Sequence, residues 1–308
     1  MPTKLQDIPD GDSCGMRVDA FLSLKHPDLS RSYIQELISA GGVTINGKKI
    51  KPSRKTENGI AVDLEIPDPV EPEILPQKMD LDILYEDSDV LIVNKPKGMT
   101  VHPAPGHPDG TLVNGILAHC GDSLSGINGV MRPGIVHRID QNTTGSLIIC
   151  KNDAAHRCIA EQLKDHSITR KYLGIVIGNL SEDSGRIEGN IGRSPKDRKK
   201  MSIVREGGKP AVTYYRVLEQ FAGYSLCEFT LETGRTHQIR VHMSSIGHPL
   251  LGDDVYGPQK CPFQLEGQTL HAATIGFMHP RSKTYMEFEA PLPDYFKDLI
   301  TLLRKRNS

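Results

Sequence analysis

The sequence predicts an α+β fold: a mixed, largely antiparallel sheet with flanking helices and loops, preceded by a small helix-helix-hairpin module. Beyond residue 80, strand-like runs follow one another through short turns, with few regular strand-helix alternations. Residues 18–50 show instead two short helical periodicities and then a hairpin signal. A proline-rich acidic stretch separates the two regions, and 308 residues, at roughly 100–200 per domain, leave room for both.

In the first region Val18, Phe21 and Leu22 fall at i, i+3, i+4, as do Ile34, Leu37 and Ile38, so each set lines one face of a short helix. Ser30 suits the N-cap of the second helix and Gly41-Gly42 its end. Asn46-Gly47, between Val43-Thr44-Ile45 and Lys48-Lys49-Ile50, predicts a two-residue hairpin turn. Gly42-x4-Gly47-Lys48 imitates the start of a phosphate loop, but Lys49 follows and no helix does. We place this module at 14–67, a stiff extended linker rich in proline at 68–79, and a second domain at 80–303.

In the second domain strands are expected at 82–85, 90–94, 146–151, 171–177, 211–218, 224–232 and 284–289. Helices are expected at 112–119, 154–164 (capped by Asp153) and 237–246. No apolar run approaches the roughly 18 residues of a membrane span, and the N-terminus does not read as a signal peptide, so a cytoplasmic protein is expected. The six cysteines form no C-x-x-C pair and most read as small core residues, without a zinc or redox motif.

The formal net charge of −1 argues against a protein coated in positive charge. It conceals unlike parts: residues 1–67 balance, 68–90 carry −7 and 91–308 carry +6. Within residues 30–55, Arg31, Lys48, Lys49, Lys51, Arg54 and Lys55 face one acid, Glu36. Lysine and arginine gathered at a helix start and a hairpin suit a nucleic-acid backbone. The basic run 193–200 is a second candidate contact loop, or a solvated turn.

The most informative stretch is Gly134-Ile-Val-His137-Arg138-Ile139-Asp140-x-x-Thr143-Thr144-Gly145, where an apolar strand enters a polar loop and a second apolar strand leaves it. Rigid elements on both sides are a good way to hold a reactive carboxylate. Taken alone, Asp140 also suits a structural turn. His137 reads as a brace of the loop through hydrogen bonds, and His237 and His242, five residues apart, do not share a helix face as metal ligands would.

His137-Arg138-Ile139-Asp140-x-x-Thr143-Thr144-Gly145 resembles the signature of pseudouridine synthases of the ribosomal large subunit synthase A/D superfamily. Arg170-Lys171-Tyr172-Leu173 is similar to its second motif, and Thr233-Gly234-Arg235-Thr236-His237-Gln238-Ile239-Arg240-Val241-His242 to its third. Asn94-Lys95-Pro96-Lys97-Gly98 and Gly247–Asp253 also fit in order and spacing, with Ile139 in place of the usual Leu. Leu29 through Lys51 resembles the ribosomal-protein-S-four-like RNA-binding domain, and the whole is closest to the synthase D type.

The resemblance implies an isomerase that detaches uracil from its ribose, turns it and rejoins it through ring carbon 5. Such chemistry needs a carboxylate, for attack on the sugar or removal of a sugar proton, and neither metal nor nucleotide cofactor. It implies Asp140 as that carboxylate, Arg240 as its ion-pair partner and Tyr172 as the platform under the uracil. It further implies substrate contacts from Arg138, which moves in as the base is turned out, and from His137, Thr143, Thr144, Arg235 and His237. Arg31, Lys48, Lys49 and Lys51 are the expected RNA contacts of the N-terminal module. The partner expected is structured RNA, large-subunit ribosomal RNA or a pre-ribosomal particle, with no membrane. A catalytically inactive RNA-binding or assembly factor on the same scaffold is the alternative, opposed by the intact Asp140, Tyr172 and Arg240. Gly121-Asp122-Ser123-Leu124 spells an esterase motif, but it sits mid-chain and lacks the Asp-x-x-His partner towards the C-terminus.

Overall fold

The computed structural model of the chain describes residues 2–67, 74–104, 106–121, 123–127, 129, 132–197 and 200–307. Residues 68–73 of the expected linker, Asp122 of the esterase-like string and Arg198 and Lys199 of the basic run lie outside these. The chain divides into two compact units, Met1–Pro72 and Glu73–Ser308.

The first unit contains β1 (Thr3–Asp7), α1 (Val18–Lys25), α2 (Arg31–Ala40), β2 (Val43–Ile45), β3 (Lys48–Lys49) and β4 (Val62–Ile66). The apolar stripes of α1 and α2 meet β2 and β4 in one core of Val18, Phe21, Leu22, Ile34, Leu37, Ile38, Val43, Ile45, Val62 and Leu64. Ser30 accepts from the Tyr33 N–H as N-cap, and Gly41 ends α2 in the left-handed region that only glycine enters freely. Asn46 and Gly47 both have positive φ, as a type I′ hairpin requires. The sheet order is β1-β4-β2-β3, antiparallel throughout. β1 was not anticipated and precedes the expected boundary at 14. Its largely polar residues are mostly exposed and owe their place to pairing with β4.

Asp19 organises the polar side of this unit. Its fully buried carboxylate accepts from Arg17 Nε and Nη2 at 3.0 Å, from Arg31 Nε and Nη2 at 3.2 Å, and from Gln35. Burial opposes its ionisation, but these donors outweigh burial and hold the carboxyl well below the usual carboxylate range. Arg31 is thus fixed by an internal partner, while Lys48, Lys49 and Lys51 are exposed.

The second unit contains β5 (Ile83–Glu86), β6 (Val90–Lys95), α3 (Leu112–Cys120), β7 (Thr144–Cys150), α4 (Asp153–Lys164), β8 (Thr169–Ile177) and β9 (Ser184–Arg193). It continues with β10 (Met201–Ile203), β11 (Lys209–Phe221), β12 (Tyr224–Leu231), α5 (Gln238–Ser245), β13 (Leu270–Met278), β14 (Tyr285–Glu289) and α6 (Asp294–Asn307). One ten-stranded sheet runs β10-β9-β11-β12-β8-β13-β7-β6-β5, with β14 on β13. Every pairing is antiparallel except β7 with β13.

Both faces of the sheet centre are covered, which is why β6 and β7 read as unbroken apolar runs. Leu91 and Val93 join a core with α3 and α5, whereas Val90 and Ile92 join one with α4 on the opposite face. α6 packs Phe296, Leu299, Ile300 and Leu303 on Ile175, Phe221 and Leu226.

The structure corrects several expectations. Gly134–Val136 is not a strand; Ile135 makes one isolated bridge to Ile149, because the turns on either side leave no room for a ladder. The N-cap of α4 is Asn152, which accepts from Ala155 N–H, while Asp153 accepts from the Ser125 hydroxyl and Gly126 N–H. Residues 74–79 are not free linker: Ile74 is buried in the core, and Leu75 and Gln77 hydrogen-bond Asn114 on α3. β9, β10, β13 and α6 were not foreseen, and of the six cysteines only Cys150 and Cys227 are buried. No helix among the described residues is long and apolar enough to cross a membrane.

The parallel β7–β13 junction depends on Gly145, whose φ is +111° and where a Cβ would collide with the Ala272 carbonyl. Gly145→Ala is therefore expected to destabilise this unit by about 3 kcal/mol, from backbone strain and overpacking together. Urea unfolding checks this, and a change within about 0.5 kcal/mol, the scatter of an ordinary surface substitution, would show that the junction relaxes freely.

Candidate active site

The loop between Ile135 and β7 is held from several sides. Ile139 is 6% exposed and anchors it in the core. His137 Nε2 accepts the Ile148 N–H at 3.0 Å, and burial drives this imidazole down to about 3, so it is neutral and braces the loop as expected. Thr143 N–H closes a turn on the Asp140 carbonyl. Lys95, 1% exposed, donates to the carbonyls of Pro96, Met99 and Gln141 at 2.8–2.9 Å, tying the end of β6 to the residue after Asp140. Burial pushes its ammonium down to about 7, against the pull of Asp140.

Asp140 thereby stands at a cavity of about 470 Å³, across from α5. Arg240 Nη1 donates to Asp140 Oδ2 at 3.0 Å, while its Nε and Nη2 grip Asp253 at 2.7 and 2.9 Å. Asp253 is held in turn by the N–H groups of Val255 and Tyr256. Burial opposes charge on both members of the Arg240–Asp253 pair, yet the pairing raises the guanidinium and lowers the carboxyl. Arg240 thus has one edge fixed by Asp253 and the other presented to Asp140.

His237 opens α5 in the left-handed region (φ 57°). Tyr256 Oη accepts from Met201 N–H and lies within hydrogen-bond distance, 2.8 Å, of His237 Nδ1, which fixes the ring. The ring Nε2 is 3.9 Å from Asp140 Oδ1. Burial lowers the His237 imidazole below its ordinary value despite Asp140.

Tyr172 lines the cavity from β8, 8% exposed, and burial raises its phenol above the ordinary value. At neutral pH the phenol therefore stays protonated, and its ring is a largely apolar part of the cavity wall. Two residues earlier on the same strand face, Arg170 also lines the cavity. Arg138 is exposed at the cavity, and Arg235 lines it while its Nε donates to the Pro210 carbonyl.

The structure thus brings together Asp140, Arg240, Tyr172, Arg138, His137, Thr143, Arg235 and His237 at one cavity. Thr144 is the correction: it is 3% exposed, outside the lining, and its hydroxyl meets His271 Nδ1 at 2.8 Å. Its place at the start of β7 turns it into the sheet. Thr143 reaches the cavity but accepts from Gln268, so it too serves the loop.

Asp253 and Lys95 sat in motifs without an assigned role, and Tyr256 gave no signal at all. The grouping of His and carboxylates close enough for a metal among the described residues, Asp87, Asp89 and His279, is internally satisfied. Arg281 grips Asp89, and His279 Nδ1 accepts from the Arg281 and Ser282 N–H groups, leaving Nε2–H to donate to Asp87.

Around Asp140 every other charged lining residue among the described residues is cationic: Arg132, Arg138, Lys164, Arg170, Arg235 and Arg240. One carboxylate in a cationic cavity, on an α+β sheet, defines the class as an enzyme for a polyanionic substrate.

The comparisons make this specific. A family model described as RNA pseudouridylate synthase matches residues 89–245, and the S4 domain model matches residues 16–57. An uncharacterized RNA pseudouridine synthase of Bacillus subtilis is 54% identical over 289 residues, 94% of each chain. A ribosomal large subunit pseudouridine synthase D of Zymomonas mobilis is 44% identical over 319 residues, covering 100% of this chain and 99% of that one. The solved structure of human RNA pseudouridylate synthase domain containing 1 is 26% identical, with a TM-score of 0.56 over 73% of this chain and 95% of that one. The chain belongs to the RNA pseudouridine synthase family. It is an isomerase with an RNA substrate and carries an N-terminal S4 domain.

Proposed function

We propose that this enzyme isomerises specific uridines of large-subunit ribosomal RNA, free or in a pre-ribosomal particle, in the cytoplasm, with Asp140 as the catalytic carboxylate. The observation that carries the catalytic assignment is the contact of Asp140 with Arg240, itself fixed by Asp253, in a cavity whose other charged lining among the described residues is cationic. The relatives named synthase D support the substrate.

Arg240 orients Asp140 when RNA closes the site. The target base, turned out of its stack, lies on Tyr172, and the exposed Arg138 enters the space it leaves. Asp140 then attacks the ribose or removes a sugar proton; the N–C bond breaks, the uracil turns and carbon 5 rejoins the sugar. Arg235 and the other rim cations take phosphates, as do Arg31, Lys48, Lys49 and Lys51 in the S4 unit. His237, with Nε2 3.9 Å from Asp140 Oδ1, bounds the carboxylate on the side of α5.

Pseudouridine mapping of ribosomal RNA from cells with and without the protein tests the substrate. Particular large-subunit uridines should stay unmodified in its absence and be converted when purified enzyme is added. Loss confined to transfer or small-subunit RNA would overturn the large-subunit assignment.

A further inference from the structure

Resting on the reading of Asp140 and Tyr172 above, we propose that Arg170 is a further substrate-contacting residue, whose guanidinium binds the negatively charged uracil during the interval when it is detached from its ribose. Arg170 is 7% exposed and lines the cavity. Nη2 donates to the Glu232 carbonyl at 3.0 Å, but Nε is buried with no acceptor, and among the described residues no carboxylate pairs with the side chain. A desolvated guanidinium without an anion is costly, and the cost falls when an anion arrives beside it.

Its surroundings decide which anion. Arg170 and Tyr172 are successive residues on one face of β8, about 7 Å apart along the strand, so a base on the Tyr172 ring lies beside the guanidinium. Phosphates stay near the surface, where the exposed Arg132 and the half-buried Arg235 suit them better. Gly234 completes the fit: a Cβ there would come within 2.6 Å of Arg170 Nη1, so the absent side chain admits the guanidinium.

The chemistry creates the anion. When the N1–C1′ bond breaks, its electron pair leaves with the uracil, while Asp140 holds the sugar as an ester or holds a proton taken from it. Bond formation from C5 to C1′ then displaces the ester oxygen, or goes with return of the proton from Asp140 to the sugar carbon it came from; either way the carboxylate is restored, C5 gives up its proton and N1 takes one, so composition is unchanged. A donor fixed where charge develops lowers that barrier and speeds the step, typically by a factor of about 10²–10³ per donor.

The test is single-turnover pseudouridine formation at saturating RNA, with RNA affinity measured in parallel, for Arg170→Met, Arg170→Lys and Gly234→Ala. Arg170→Met should slow the reaction about 10²-fold with affinity within about twofold. Arg170→Lys should recover part of the rate, and Gly234→Ala, which displaces the guanidinium but keeps its charge, should lose part. On RNA carrying 5-fluorouridine, whose ring stabilises negative charge by itself, the Arg170→Met deficit in substrate consumption should shrink. A purely structural role would not produce that dependence. Wild-type rates in Arg170→Met overturn the proposal, as does weaker RNA affinity with a reduced salt slope and an unchanged saturated rate, which would make Arg170 a phosphate contact. If Arg170→Met fails to fold, Gly234→Ala decides by the same measurements. Wild-type enzyme making no pseudouridine would instead refute the underlying reading.

Discussion

Asp140→Asn is expected to slow pseudouridine formation by about 10⁴-fold or more while leaving RNA affinity within about twofold. The amide has nearly the same shape, and its oxygen can still accept from Arg240 Nη1. It carries no charge, so it neither attacks the sugar nor takes a proton from it. Because Arg240 keeps Asp253, the substitution leaves no buried cation unpaired and stability should change by less than about 1 kcal/mol. Single-turnover assays and RNA titration check both halves. A variant retaining more than about one hundredth of the wild-type rate would remove Asp140 from the reaction.

Arg240→Met is expected to cost about 3–5 kcal/mol of stability at neutral pH and at least about 10²-fold in rate. It strips the guanidinium from two carboxylates at once, and Asp253 is fully buried. The sign with pH follows. Asp253 is held below the ordinary carboxylate range in the wild type, so its stabilisation is present above about pH 4 and lost as pH falls through its lowered value. In the variant the unpaired carboxyl is relieved by protonation, so the gap from wild type should narrow between pH 7 and pH 4. Urea unfolding at the two pH values measures it, and a gap that widens on acidification contradicts the arrangement.

The local parts of the site were legible because their signals are local. A carboxylate in a tight turn, an apolar strand with a tyrosine and a hairpin with Asn-Gly each announce themselves within a few residues, and the motif resemblance joined them. Less legible were residues whose importance lies in a distant partner. Asp253 in a Gly-Asp turn looks like loop punctuation until Arg240 is seen to depend on it. Lys95 has no role assigned by its motif, yet it is buried on three carbonyls. The motif position of Thr144 implies a substrate contact, but the pleat at the start of β7 turns it towards His271. β9 escaped notice because its glycines and charges break the apolar alternation, and pairing with β10 and β11 holds it extended.

By itself the sequence determined the α+β class, the two amphipathic helices and hairpin of the first unit, and the presence of a carboxylate, a tyrosine and an arginine in motifs that resemble one family. Only the tertiary structure decided which charges answer one another. Arg240 is 100 residues from Asp140 and 13 from Asp253 along the chain, and one guanidinium touches both. The worth of a charge is set by its surroundings after folding, by burial, by the donors within about 3 Å and by the sign of its neighbours. None of these is a property of the residue or of its place in the sequence.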